Sequence, residues 1–225
     1  MSGIEPFAPK GMLHSCWTAQ VDDYAIVCGW NLTGRIFLVG GSAGGLHAFD
    51  GNSGTSIWKK ENIHDGGLLS MSICSKSDIF ATSGQDGLVK LWDFGKGEEI
   101  KSIKIGKDWV EHLKWSPNGE LLAVACSRNV YVLNTEGTEI WNSEAHPSTV
   151  SAIDWSNNDE LATACYGRVS FFNINKNVLN QKLEWQGSLV SMELSPNGDI
   201  VACGSQDNSV HFWRRSTGND AEMTG

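Results

Sequence analysis

The sequence predicts an all-β protein that is built from five repeated units of about forty residues. The first observation is a phrase that occurs five times, in which a polar turn is followed by an apolar run. Its copies read "GWNLTGRIFLVGG" (29–41), "SICSKSDIFATSG" (72–84), "KWSPNGELLAVAC" (114–126), "DWSNNDELATAC" (154–165) and "ELSPNGDIVACGS" (193–205). The second observation is their spacing, because the matching turn residues lie 44, 41, 40 and 39 positions apart: Gly34, Asp78, Gly119, Asp159 and Gly198.

Each unit continues in the same order after this phrase. A polar turn such as "GQDG" or "SQDN" leads into a second short run such as "LVKLW" or "SVHFW", and three units add a third run. The runs are rich in Val, Ile, Phe and Trp and are separated by Gly, Asn, Asp and Ser, which is typical of strands joined by tight turns. No window keeps a helical period over three turns. We therefore expect about twenty short antiparallel strands, four to each unit.

Composition narrows the classes of function. The chain has 225 residues and a net charge of -9, which disfavours a surface for nucleic acid or for anionic membrane. No segment approaches the roughly 20 apolar residues of a membrane span, and the N terminus lacks the pattern of a signal peptide. The six cysteines form no Cys-x-x-Cys pair. We expect them to be buried free thiols, which predicts a cytoplasmic protein with no metal site and no cofactor.

Three stretches carry a resemblance to a known family. "SGQDGLVKLWDF" (83–94) and "GSQDNSVHFWRR" (204–215) look like the ending of a WD repeat, and "KWSPNGELLAVA" looks like its middle. The chain resembles the WD-repeat (WD40) β-propeller family over about residues 20–218, and its degenerate repeats resemble uncharacterised bacterial WD-repeat proteins. This predicts one propeller domain over residues 1–225. Residues 1–13 form an N-terminal tail and residues 14–21 a lone closing strand. The five repeats follow at about 22–60, 64–105, 108–143, 146–183 and 186–225.

The resemblance also implies a buried hydrogen-bond network in the second repeat, formed by His64, Thr82, Asp86 and Trp92. Such a set resembles a hydrolase triad, but the repeat gives each member a structural use. The other repeats depart from the pattern. The fifth has Cys203 in place of the hydroxyl and lacks the His, the fourth has Phe172 near the Trp position, and the third has Asp108-Trp109 where the His would be.

Two arrangements of the ring fit the sequence. In the favoured one, the chain is the front of a seven-bladed ring whose last two blades are missing, so that the first and fifth blades each expose an apolar face. In the alternative, five blades close, and residues 14–21 pair with the strand around His211 and Phe212.

Function is predicted from the rim of the propeller. The family pattern places the loops that enter each first strand, and the turns after each second strand, on one rim, and these loops are rich in the residue types of interface hot spots. The candidate partner-binding residues are Asp108, Trp109, Glu111, Arg128, Tyr166, Arg168 and Trp185. We therefore expect a non-catalytic scaffold that binds other proteins. The alternatives are a propeller enzyme of hydrolase or lyase type and a carbohydrate-binding propeller, although no phosphate loop, clustered His or repeated carboxylate pair supports an enzyme.

Overall fold

A computed structural model describes residues 17–224, which form twenty β-strands in five four-stranded sheets. Sheet 1 contains β1 (Ala25–Trp30), β2 (Ile36–Gly41), β3 (Leu46–Asp50) and β4 (Ser56–Lys60). Sheet 2 contains β5 (Leu68–Ile73), β6 (Ile79–Gly84), β7 (Leu88–Asp93) and β8 (Glu99–Lys104). Sheet 3 contains β9 (Val110–Trp115), β10 (Leu121–Cys126), β11 (Asn129–Asn134) and β12 (Glu139–Asn142). Sheet 4 contains β13 (Ala152–Trp155), β14 (Glu160–Cys165), β15 (Arg168–Asn173) and β16 (Val178–Glu184). Sheet 5 contains β17 (Leu189–Leu194), β18 (Ile200–Ser205), β19 (Ser209–Arg214) and β20 (Asn219–Thr224).

Each sheet is an antiparallel meander in which strands pair only with their neighbours in the chain. The sheets pack side by side in sequence order, and their first strands lie next to one another. These are the blades of a propeller, so the predicted all-β fold with five repeats is confirmed. The fourth strands of blades 4 and 5, β16 and β20, were absent from the apolar pattern because most of their side chains are exposed.

The repeated "SPNG" phrase forms the turn between the first and second strands. In blade 3 the Ser116 hydroxyl donates to Asn118 Oδ1 at 2.7 Å and accepts from the Leu121 N–H at 3.0 Å. The Gly119 N–H returns to the Ser116 carbonyl, and Gly119 has a φ of 69°, which favours glycine. In blade 5 the Ser195 hydroxyl makes the same two bonds, at 2.7 and 2.8 Å. The recurring letters therefore encode one turn geometry.

The "Trp-Asp" ending shapes the turn between the third and fourth strands. Asp93 Oδ1 accepts the Lys96 N–H at 2.8 Å, and the Gly97 N–H donates to the Asp93 carbonyl at 2.9 Å. Blade 5 has Arg214 at the position of Asp93. There the Gly218 N–H still donates to the Arg214 carbonyl, and Asp199 Oδ1 accepts the Ser216 N–H at 2.8 Å. The turn therefore tolerates loss of the carboxylate at the position of Asp93.

The hydrophobic core lies between the blades. One apolar cluster joins blades 1 and 2, and three further clusters join blades 2 and 3, 3 and 4, and 4 and 5. Phe80, Leu122 and Phe171 are among the side chains that are completely buried in these layers. Each such side chain contributes about 1.5–3 kcal/mol relative to exposure. Stability therefore depends mainly on contact between neighbouring blades, as in other repeat proteins.

Two tryptophans, Trp58 and Trp17, each bond to the turn between the third and fourth strands of the blade that follows them in the chain. The Trp58 indole on β4 donates to the Phe94 carbonyl of blade 2 at 3.1 Å and covers Gly97. Trp17 donates in the same way to the Gly51 carbonyl of blade 1 at 3.0 Å and covers Gly54. Trp17 therefore lies where the outer strand of a preceding blade would place its tryptophan. The predicted closing strand at 14–21 is nevertheless wrong for residues 17–21, which are in no strand, and residues 14–16 lie outside the described residues.

The described blades form an open arc. None of the four clusters in residues 17–224 joins blade 5 to blade 1. The free face of blade 1 leaves Trp30 47% exposed, and the free face of blade 5 leaves Val190 53% exposed. The closed five-bladed alternative is wrong, because β19 pairs with β20 of its own blade, with His211 opposite Glu222 and Phe212 opposite Ala221.

Candidate interaction rim

The top rim, as we call it, consists of the loops before each first strand and the turns between each second and third strand. Antiparallel connection places both sets at the same end of the sheets. The seven predicted partner-binding residues lie on this rim or on the strand residues next to it.

Three of the predicted residues line one cavity. Asp108, Trp109 and Glu111 surround a space of about 290 Å³ together with Lys107, Ser127 and Thr149, which the sequence pattern did not indicate. The Trp109 side chain is 52% exposed, which is unusual for a large aromatic group unless a partner covers it. Glu111 Oε2 is out of contact with solvent and has no hydrogen-bond partner among the described residues. Burial, and next the Asp108 carboxylate, raise the pKa of Glu111.

The loop between blades 3 and 4 connects this cavity to Tyr166. Thr149 lines the cavity, and the neighbouring Ser148 hydroxyl accepts the Tyr166 N–H at 2.9 Å. Tyr166 is 58% exposed on the turn between β14 and β15. Trp109 and Tyr166 are thus two exposed aromatic groups on neighbouring loops of the same rim.

The remaining predicted residues do not join this site. Arg128 donates through Nε to the His146 carbonyl at 2.6 Å and so ties two loops together. Arg168 lines a separate groove on the outside of the arc. Trp185 lines a cavity with Gly167 and is otherwise packed on His211, with ring centroids 3.9 Å apart. The seven candidates therefore fall into a cluster of three, a nearby tyrosine, and three residues with other surroundings.

The network implied by the family pattern is present beneath the rim of blade 2. His64 Nδ1 lies 3.0 Å from Asp86 Oδ1, and His64 Nε2 lies 2.9 Å from Thr82 Oγ1, which accepts the Trp92 indole N–H at 2.8 Å. A neutral His64 with its proton on Nδ1 gives every donor an acceptor, because the Thr82 hydroxyl then donates to Nε2. Burial lowers the pKa of His64 in spite of the Asp86 carboxylate, which agrees with this assignment. Thr82 is completely buried, so its hydroxyl is not placed to attack a substrate.

The fourth blade keeps half of this network. His146 Nε2 lies 2.9 Å from Thr163 Oγ1, while its Nδ1 lies 3.1 Å from the Arg128 carbonyl, which takes the place of the Asp86 carboxylate. Phe172 stands at the tryptophan position and packs edge-on against the His146 ring. A backbone carbonyl can replace a side chain here because the neutral imidazole needs only one acceptor.

The third and fifth blades have another residue at the position that His64 occupies in blade 2. Strand register places Gly106, and not Asp108-Trp109, at the position of His64 in blade 3, which corrects the expectation from the sequence. In blade 5 the equivalent residue is Trp185, whose ring packs on His211 and Trp213. Blade 5 thus has aromatic packing where blade 2 has hydrogen bonds, and blade 3 has no side chain at this position, so the fold does not require the network in each unit.

Other side chains set limits on the chemistry. Cys74, Cys126, Cys165 and Cys203 are buried free thiols, whereas Cys28 is exposed, contrary to expectation, and Cys16 lies outside the described residues. Within residues 17–224, no group of three or more His, Cys, Asp or Glu side chains is placed to hold a metal ion. The same residues contain no helix with the length and apolar character of a membrane span.

Repeated four-stranded blades, together with the hydrogen-bond network of His64, Thr82, Asp86 and Trp92, indicate a propeller protein of the WD type, and sequence comparison agrees. The family model described as "Anaphase-promoting complex subunit 4 WD40 domain" matches residues 71–158 and 113–192, which is more than half of the chain. The model described as "WD domain, G-beta repeat" matches residues 179–214. The chain belongs to the WD40-repeat family.

Individual relatives are distant and longer. A serine-threonine kinase receptor-associated protein of Rattus norvegicus is 24% identical over 80% of this chain and 52% of its own length. The U3 small nucleolar RNA-associated protein 21 homolog of Schizosaccharomyces pombe is 23% identical over 80% of this chain and 21% of its own. The chain thus spans about half or less of these relatives. Both are eukaryotic, so the expected resemblance to bacterial proteins is not supported.

A solved structure shows the same fold. A chain in a crystal structure of the mitotic checkpoint complex superimposes with a TM-score of 0.81 at 17% identity, over 96% of this chain and 69% of that chain. At this identity the likeness concerns the fold alone.

Proposed function

We propose that the protein is a non-catalytic scaffold in the cytoplasm that binds other proteins through its top rim. The observation that carries the proposal is the pair of exposed aromatic groups, Trp109 and Tyr166, on adjoining loops. Aromatic residues dominate the energetics of protein interfaces because they bury large area at low entropic cost.

The charge of the chain supports a protein partner. A net charge of -9 opposes contact with a polyphosphate backbone, so we expect no direct binding of nucleic acid or of anionic membrane. The RNA-associated relative is a much longer protein, and this chain spans only 21% of its length. Free thiols at all five described cysteines support a reducing, cytoplasmic location.

Affinity purification with a matched rim variant tests this function. Tagged wild type, the double variant Trp109→Ala/Tyr166→Ala and the control Leu32→Ala are expressed in cells of the source organism, and bound proteins are quantified by mass spectrometry. Leu32 is an exposed apolar residue on the opposite end of blade 1. We expect at least one protein to be retained by wild type and by the control but lost from the double variant.

The scaffold proposal fails on either of two results. In one, the double variant, folded as judged by its melting temperature, retains every protein that wild type retains. In the other, nuclease treatment of the lysate removes every rim-dependent protein, which would indicate that RNA or DNA holds them.

A further inference from the structure

A second surface lies on the outside of the arc, between the outer strands of blades 3 and 4. This outer groove has a volume of about 510 Å³, and its lining includes Trp141, Glu144, His146, Arg168, Phe172 and Lys182. It exists because β12 has four residues whereas β16 has seven, so the outer edge of blade 3 stops short of that of blade 4. The Trp141 and Phe172 rings meet with centroids 5.4 Å apart and give the groove an aromatic wall.

The groove has the opposite charge to the chain as a whole. Neither Arg168 nor Lys182 has a carboxylate within ion-pair distance in the described part of the chain. Arg168 Nε is also shielded from solvent and donates to no acceptor there. Glu144 is the one acidic residue of the lining. Burial lowers the pKa of His146, and the positive charges of Arg168 and Arg128 lower it further, so this ring adds no charge at neutral pH.

An unpaired strand edge accompanies these cations. β12 is the outermost strand of blade 3 and pairs only with β11. A free edge offers backbone donors and acceptors to an extended peptide, which is a common mode of recognition. Val178 and Leu179 line the other side of the groove and expose apolar surface. Cations, apolar surface and a strand edge together match an extended segment that carries both acidic and apolar side chains.

We propose that the outer groove binds an extended acidic segment of a partner protein, with a carboxylate between Arg168 and Lys182 and an apolar side chain against Trp141. The groove shares no lining residue with the cavity of Trp109 or with Tyr166, so it stands whether or not those two residues bind a partner. Charge complementarity selects an acidic segment over a basic one, and the apolar wall selects a peptide over a small anion.

Two labelled peptides test the proposal. Each is about eight residues long and carries fluorescein, and one alternates Asp with Leu while the other alternates Lys with Leu. We expect fluorescence anisotropy to show binding of the acidic peptide only. Hydrogen exchange should then show protection of the backbone amides of residues 140–146. Inorganic phosphate at equal concentration should not compete, because it lacks the apolar contacts.

Charge reversal on the protein locates the site. Arg168→Glu/Lys182→Glu should weaken binding of the acidic peptide by about tenfold or more, a change worth about 1.4 kcal/mol per factor of ten. The control Lys96→Glu reverses an exposed cation on blade 2 and should leave binding unchanged. Leu179→Asp, at an exposed position, should also weaken binding and covers the case in which the double reversal fails to fold.

Several results would overturn the groove as a peptide site. They are equal binding of both peptides, competition by phosphate, protection confined to other segments, and unchanged affinity in folded variants with reversed charge. Trp109→Ala/Tyr166→Ala should leave peptide binding intact, so the groove and the rim can fail independently.

Discussion

Removal of the Asp86 carboxylate is the sharpest perturbation of the network in blade 2. In the wild type this carboxylate accepts from His64 Nδ1 at 3.0 Å, and from the N–H groups of Asp65 and Leu88 at 3.1 Å each. In Asp86→Ala the His64 donor remains buried without an acceptor, because the His64 side chain has no exposed surface. Two backbone donors lose their partner as well, but they lie closer to water.

The expected cost follows from these contacts. A buried donor without a partner costs about 1–3 kcal/mol, and hydrogen bonds to a charged acceptor lie at the upper end of that range. We expect Asp86→Ala to lower the free energy of unfolding by about 2–3 kcal/mol. For a chain of this size, that corresponds to a fall in melting temperature of about 4–12 °C.

Calorimetry with a matched control checks this reasoning. Asp207 occupies the equivalent turn of blade 5, but its carboxylate bonds with Ser209, through the N–H at 3.1 Å and the hydroxyl at 2.6 Å. No His depends on it, so Asp207→Ala should melt close to wild type. Equal losses in both variants, or an Asp86→Ala melt that overlays wild type, would refute the claim that His64 needs this acceptor.

Three further predictions concern other parts of the fold. Burial lowers the pKa of His146, so the contribution of this residue to stability is complete above its ordinary pKa of about 6.5 and is lost as the pH falls toward the lower pKa of the folded state. The melting temperature should therefore fall as the pH is lowered from about 7.5 to 5.5, and it should fall less steeply in His146→Gln. Gly97→Ala should cost about 1–3 kcal/mol more than Gly34→Ala in urea unfolding, because both have positive φ but only the first added Cβ meets an indole ring, at 2.6 Å. Alkylation at about pH 8 should label the exposed Cys28 well before Cys203, because burial raises the pKa of Cys203 to about 12.

The strands and turns with a clear signal in the sequence are those whose side chains are buried or make hydrogen bonds. The turns at Ser116 and Asp93 can be predicted from residue type, because the side chains of these two residues accept the backbone hydrogen bonds of the turn. The outer strands β16 and β20 were expected from the count of four strands per unit, but they show no apolar pattern of their own, because backbone pairing holds them and most of their side chains face solvent. A strand without apolar alternation gives no periodic signal.

Sites between blades were harder to predict than sites within one blade. The network of His64 lies within one repeat, and the family pattern located it. The replacement of a carboxylate by the Arg128 carbonyl left no trace in the sequence, since every residue has a carbonyl. The outer groove arises from unequal strand lengths in neighbouring blades, so the sequence placed Arg168 next to the rim but did not indicate that it lines this groove.

Light scattering of the 225-residue chain over a range of concentrations tests the open arc most directly. The free faces of blades 1 and 5 expose apolar side chains, including Trp30, Val190 and Val210. A few hundred Å² of such surface leaves on the order of 10 kcal/mol of burial unrealised, at about 25 cal/mol per Å². We predict a mass that rises with concentration, and a smaller rise in Val190→Glu/Val210→Glu. A monodisperse, heat-stable monomer at every concentration, unaffected by these substitutions, would contradict the open arc.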